Sequence, residues 1–187
     1  MKSPTTRITT STGYMASDCV SEEFSRRVIY IIEEITDSLA AEICCQINHL
    51  AAVSDDDITL WIMSPGGSVT AGFAILDTMN SVECDIKTIV MGQAASMAAV
   101  IASSGTKGKR FILPHSRFLL HQPLGGCNGQ ASDIEIEYKE IQYMKEELYK
   151  ILVENTGQSF DKIYKDADRD FWLTADESVN YGLVDSI

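Results

Sequence analysis

Basic residues are in short supply. Lys and Arg number 15 against 27 Asp and Glu, a formal net charge of −12. A nucleic-acid partner is therefore not expected, because neutralising phosphates requires a basic face. Cysteine is sparse and unpaired in pattern: Cys19, Cys44, Cys45, Cys84 and Cys127 are odd in number and show no C-x-x-C spacing. That argues against a disulfide framework or a zinc site and for a reducing, cytoplasmic setting. Cys44 and Cys45 read as small apolar residues packed on a helix. Long apolar runs are missing as well. The most apolar stretch, Ile89 to Ala102, contains Gly92, Gln93 and Ser96 and is too short to cross a bilayer, so no membrane partner is expected. The first seventeen residues lack acids and hold only Lys2 and Arg7 as bases, without the amphipathic Arg pattern of a transit peptide. Residues 1–25 are expected to be a flexible or processed segment, and 26–187 one domain long enough to bury a core.

From Val28 onward the hydrophobic pattern is regular. Val28–Ile32 is a β-branched run expected to form a buried strand. Thr36 reads as the N-cap of a helix to about Ala52, with Leu39, Ile43, Ile47 and Leu50 on one face. Ile58–Met63 is a second strand, ended by the bend Ser64-Pro65-Gly66-Gly67. A helix follows from Val69 to about Met79, then a strand Ile86–Met91 and a helix from Ala95 to Ser103. This alternation implies parallel crossovers and an α/β fold. Short strands are expected at Phe111–Leu113 and Phe118–Leu120, and a long helix from Ser132 to about Asn155. Ile134, Tyr138, Ile141, Leu148 and Leu152 form one stripe of that helix, while Ile136, Tyr143, Met144 and Ile151 lie off it. Apolar residues around so much of its girth call for partners on more than one side. The remainder reads as a short helix, an Asp168–Leu173 link, a helix from Thr174 and a last strand.

Chemistry is concentrated at a few positions. Ser96 stands where a buried strand meets a helix. Its hydroxyl could simply cap that helix. Alternatively, the unpaired N–H groups and positive dipole end there could stabilise an oxyanion formed beside it. The chain has three histidines. His49 lies on the first amphipathic helix and His115 in a turn, both expected at the surface. His121 ends the strand Phe118–Leu120, at the rim where parallel sheets build their sites. Gly66 and Gly67 allow a tight turn that can aim N–H groups at a ligand, although such a turn alone is commonplace.

Three segments taken together, Ser64–Gly72 (SPGGSVTAG), Met91–Ala99 (MGQAASMAA) and Leu120–Gly126 (LHQPLGG), resemble the ClpP family, the peptidase subunit of the Clp protease. The resemblance runs from about Arg26 to Ile187. It implies that Ser96 is the nucleophile, His121 the general base and Asp170, in Asp168-Arg169-Asp170-Phe171, the residue that orients the base. It further implies an oxyanion hole from the N–H groups of Gly67 and Met97, and a substrate-pairing segment around Gly125 and Gly126. No metal or organic cofactor is implied. The expected architecture is a ClpP/crotonase-like head with a projecting handle at about 125–156. Two stacked heptameric rings would join through the handles, with Arg169 pairing one ring to the other. The expected partners are unfolded polypeptides, delivered by an AAA+ Clp ATPase.

Two departures from the family bear on that partnership. Residues 1–25 show neither the apolar hairpin that guards the pore nor the short helix after it. In the ATPase-docking pocket Trp61 keeps one aromatic, but Thr59 and Ser81 replace the usual Tyr and Phe, so docking by rings of this chain alone is expected to be weak. A mixed ring with a paralogue stays open. The rival readings are a regulatory ClpP-like subunit and a crotonase-type CoA enzyme, which would not need a Ser-His-Asp set.

Overall fold

The structure, a computed structural model, describes residues 4–11 and 13–187. It begins with a hairpin, β1 (Thr5–Thr10) and β2 (Gly13–Asp18), paired antiparallel from Thr5 opposite Asp18 to Thr10 opposite Gly13. Asp18 then caps α1 (Cys19–Ser25), its Oδ1 accepting from the N–H of Val20 at 2.9 Å and of Ser21 at 3.0 Å. The expectation of no short helix before Arg26 is thus corrected, and a hairpin stands ahead of it, although not an apolar one. The β-branched Thr5–Thr10 run pairs as a ribbon without an apolar face, and the signal for α1 is its cap.

The main sheet has six strands: β3 (Val28–Ile31), β4 (Ile58–Ser64), β5 (Ile86–Ala95), β6 (Arg110–Ile112), β7 (Arg117–Leu120) and β8 (Phe171–Leu173). Its order is β3-β4-β5-β7-β8, with β6 also on β5; every pair is parallel except β7–β8. The crossovers carry α2 (Asp37–Val53), α3 (Val69–Ser81) and α4 (Met97–Ser103). After β7 come α5 (Ala131–Thr156), α6 (Phe160–Asp166), β8 and α7 (Ala175–Tyr181). Thr36 caps α2 as expected, accepting from the N–H of Leu39 at 3.3 Å. Thr174 and Glu177 form a reciprocal capping box on α7. The core is the inward face of β3 and β4 (Ile29, Ile31, Ile58, Leu60, Ile62) against Ile43, Ile47, Ile75 and all of α4.

β5 decides where the site lies. It runs to Ala95, four residues beyond the expected end, and changes partner midway. Thr88–Val90 pair with β6, whereas Gln93–Ala95 pair with β7. The change falls at Gly92, whose φ of 72° suits glycine and whose N–H donates to Ser116 Oγ at 2.8 Å. Alongside, the β4–β5 register shifts between Ile62 and Ser64. Both strands therefore bend at one level and deliver their C-terminal ends, Gly66 and Ser96, to the same place.

Other expectations are modified. α4 begins at Met97, two residues late, leaving Ser96 in the turn. The last strand reduces to a single bridge between Phe111 and Ser186, and the Asp168–Leu173 link contains β8. Cys44 is half-buried, donating to Ala74 O at 3.4 Å, but Cys45 is exposed. In α5 only Lys145, Leu148, Tyr149 and Leu152 are buried, while Ile134, Ile136, Tyr138 and Tyr143 are exposed. Among the described residues, no helix is long and apolar enough to cross a membrane.

Candidate active site

Ser96 occupies the turn between β5 and α4 with φ 54° and ψ −126°, a strained backbone for any residue but glycine. Such strain costs about 1–3 kcal/mol and persists only where its surroundings enforce it. Here its N–H donates to Leu119 O on β7 at 2.9 Å, its carbonyl accepts from Ala99 N at 2.9 Å, and the whole of α4 is buried. The side chain makes no capping bond to α4, so the capping role that a serine at this point invites is not the one it plays. The hydroxyl of a half-buried, backbone-fixed serine is left for other use.

The glycine turn after β4 lies directly against this serine. A Cβ on Gly66, at φ 91°, would stand 2.7 Å from Ser96 Cβ, 2.6 Å from Ala95 O and 3.1 Å from Met97 N. A Cβ on Gly67 would stand 2.3 Å from Ile35 O. The turn is held by Ile35 N donating to Gly66 O and Ser68 N donating to Ile35 O, both at 2.8 Å. Ser64 Oγ accepts from Gly66 N at 3.1 Å and donates to Glu33 O at 2.6 Å. None of these bonds uses the N–H of Gly67, and the N–H of Met97 opens α4, where helix donors lack intrahelical partners. The Met97 side chain is buried beside Gly72, whose added Cβ would come within 2.2 Å of Met97 Cγ.

His121 follows β7 directly and is half-buried. Its Nδ1 lies 2.6 Å from Gln122 O. A carbonyl can only accept, so in the neutral ring Nδ1 carries the proton and Nε2 keeps the lone pair. Ser96, Met97 and His121 line one small cavity of about 20 Å³, room for about one water. α5 closes it with Leu148, Tyr149 and Leu152; Leu148 and Leu152 read in the sequence only as part of the helix stripe, and nothing in the sequence singles out Tyr149. Asp170 is exposed and precedes β8. The last β7–β8 pair is Leu120 with Phe171, and continuing that register by one residue sets Asp170 opposite His121. Among the described residues no hydrogen bond joins Ser96 to His121 or His121 to Asp170.

The remaining candidates lie outside this cavity. Gly125 and Gly126 are exposed in a segment without strand pairing, Gly125 close to Ile141. Arg169 is 91 % exposed, its Nε 3.8 Å from Asp168. Thr59 and Trp61 share the half-buried outer face of β4, and Ser81 ends α3 at the surface. His49 is exposed and stacks on Phe24 with ring centroids 5.8 Å apart; His115 is exposed. A larger groove of about 970 Å³ between α1, β3 and α2 holds none of the candidates. Gly66 reads in the sequence as part of a turn that can aim N–H groups at a ligand; its contact with Ser96 is the part that sequence spacing does not reveal.

A bent, mostly parallel sheet thus presents a strained, uncapped serine with a glycine turn pressed against it, and a histidine in the tautomer of a base in the same cavity. The family model described as Clp protease matches residues 11–187, starting fifteen residues before the motif resemblance did. The chain belongs to the Clp protease family.

Proposed function

We propose that this chain is a serine endopeptidase, with Ser96 as nucleophile, His121 as general base and Asp170 as the residue that orients the imidazole. The observation that carries the reading is the Ser96 turn: a positive-φ serine whose hydroxyl caps nothing and which shares a cavity with His121. A serine hydroxyl attacks a peptide carbonyl only when a base takes its proton in the same step. Nε2 of His121 takes that proton and returns it to the leaving amine, while Asp170 stabilises the imidazolium. As the carbonyl carbon becomes tetrahedral, its oxygen gains charge, and the N–H groups of Gly67 and Met97 receive it. Each such donor contributes about 3 kcal/mol to the transition state. Taking the proton from Ser96 Oγ requires the imidazole to leave Gln122 O and turn between serine and carboxylate, a rearrangement common on going from a free site to a substrate complex.

In this reading the exposed Gly125–Gly126 backbone pairs with extended substrate, giving binding that tolerates many side chains. Residues 26–187 form the peptidase unit. The outward half of α5 is the handle that joins two heptameric rings, with its exposed apolar residues buried in the assembly and Arg169 pairing across it. An AAA+ ATPase feeds unfolded chains to the enclosed sites, in the cytoplasm.

The test is labelling by a fluorophosphonate followed by peptide mapping. Label on Ser96, and a fall in peptide turnover of about 10⁶-fold in Ser96→Ala without loss of fold, is the expected result. Near-normal turnover by Ser96→Ala would remove the nucleophile assignment.

A further inference from the structure

Lys145 is a lysine where the fold has no need of one. It is 7 % exposed, on the inner side of α5, with its ammonium 4.3 Å from the centre of the Tyr164 ring and 5.6 Å from that of Tyr149. Among the described residues it makes no ion pair. Burying a charge without a counter-ion is costly, and Met or Leu would fill the space between two tyrosines without that cost. Among the described residues, its ammonium makes one hydrogen bond, to Gln122 Oε1 at 3.0 Å.

That bond dictates what Gln122 does. An ammonium only donates, so it selects the oxygen of the amide and leaves Nε2 facing the other way. Nε2 donates to the backbone carbonyl of Asp168 at 2.9 Å. The position of this link matters more than its strength. The β7–β8 ladder ends at Leu120 opposite Phe171. The next residues outward are His121 and Asp170, and the link from Gln122 to Asp168 lies just beyond them. The two are therefore bracketed, by the ladder on one side and by a side-chain bond on the other. Without the second bracket, both would hang from the end of a three-residue pairing.

We propose that Lys145 and Gln122 form a clamp that holds His121 and Asp170 opposite each other, which makes both of them positioning residues for the peptidase reaction. The inference rests on the reading of His121 and Asp170 given above. Lys145 touches no reacting atom. It sets the amide, the amide sets the turn at 168–170, and the turn sets the carboxylate. A catalytic group displaced by about 1 Å can lose up to about 10²-fold in rate, so a loosened bracket is felt in turnover rather than in substrate binding.

The experiment compares Lys145→Met, Gln122→Leu, their double variant and Lys145→Arg in the full-length assembled protein. Peptide turnover is read alongside amide hydrogen exchange over 168–171. Each single variant is expected to lower kcat about tenfold with KM unchanged and to speed exchange in that segment. The double variant should be no slower than the worse single one, because both cut the same link. Lys145→Arg, which can still donate to Oε1, should recover most of the rate; a role in filling space alone predicts no such recovery. Additive losses, unchanged kcat, an effect on KM alone, or unchanged exchange would each overturn the clamp. Gln122→Leu changes a half-exposed side chain and keeps the test open if Lys145→Met does not fold. If the wild-type protein takes no fluorophosphonate at Ser96, the peptidase reading falls, and the exchange rates still decide whether the clamp exists.

Discussion

The two halves of the site are built by different means. Around Ser96 the backbone does the positioning: Gly66 lies against Cβ, Leu119 O holds the N–H, and buried α4 anchors the far side. Around His121 and Asp170 the ladder has ended, the residues are half-buried or exposed, and side chains of Gln122 and Lys145 supply the constraint. A half made from backbone tolerates no added atom, because main chain cannot step aside. A half made from side chains tolerates volume changes but depends on particular polar groups.

Substitutions can break this contrast, and the most damaging should be Gly66→Ala. Its Cβ would meet Ala95 O and Ser96 Cβ at distances that real structures do not hold, on a backbone at positive φ. We expect activity to fall by more than about 10²-fold and stability by about 2–4 kcal/mol, read by fluorophosphonate labelling and a urea midpoint. Labelling at the wild-type rate would mean that the nucleophile half is not rigid.

Asp170→Asn probes the opposite half. Loss of about 10³–10⁴-fold in kcat is expected, because the amide cannot stabilise an imidazolium. The urea midpoint should stay in place, since the side chain is exposed. A large drop in stability would show that the base half is also part of the folding core. Arg169→Ala should have the smallest effect on the single chain, its side chain being 91 % exposed. Its effect should appear in assembly: native mass spectrometry is expected to find single rings or smaller species, with activity falling in step. Full activity in a species the size of one ring would uncouple assembly from the base half.

Local signals were readable where periodicity and caps coincide. α2 starts at its Thr36 cap and buries Ile43, Ile47 and Leu50 as spaced. The strand signal of β5 stops at Met91, because Gly92-Gln93-Ala94-Ala95 has neither alternation nor branched residues. Those four residues are strand because β7 lies alongside, which no local pattern encodes. The ladder of β1 and β2 leaves no hydrophobic signal for a related reason, since it buries almost nothing.

By itself, the sequence determined the α/β class and the order of elements, and it singled out the candidate reactive groups. These depend on spacing along the chain: β-branched runs, caps, and three motifs whose residue types suit one kind of chemistry. Only the tertiary structure decided that Gly66 lies against Ser96, that the serine hydroxyl is free of its helix, and that the β7–β8 register, continued by one residue, brings Asp170 level with His121. It also decided that Lys145, 24 residues from His121 along the chain, reaches the same strand end through Gln122. These are contacts between elements brought together by the bend at Gly92 and the antiparallel return of β8. Their geometry depends on sheet register and packing, which arise only when distant segments are buried against one another.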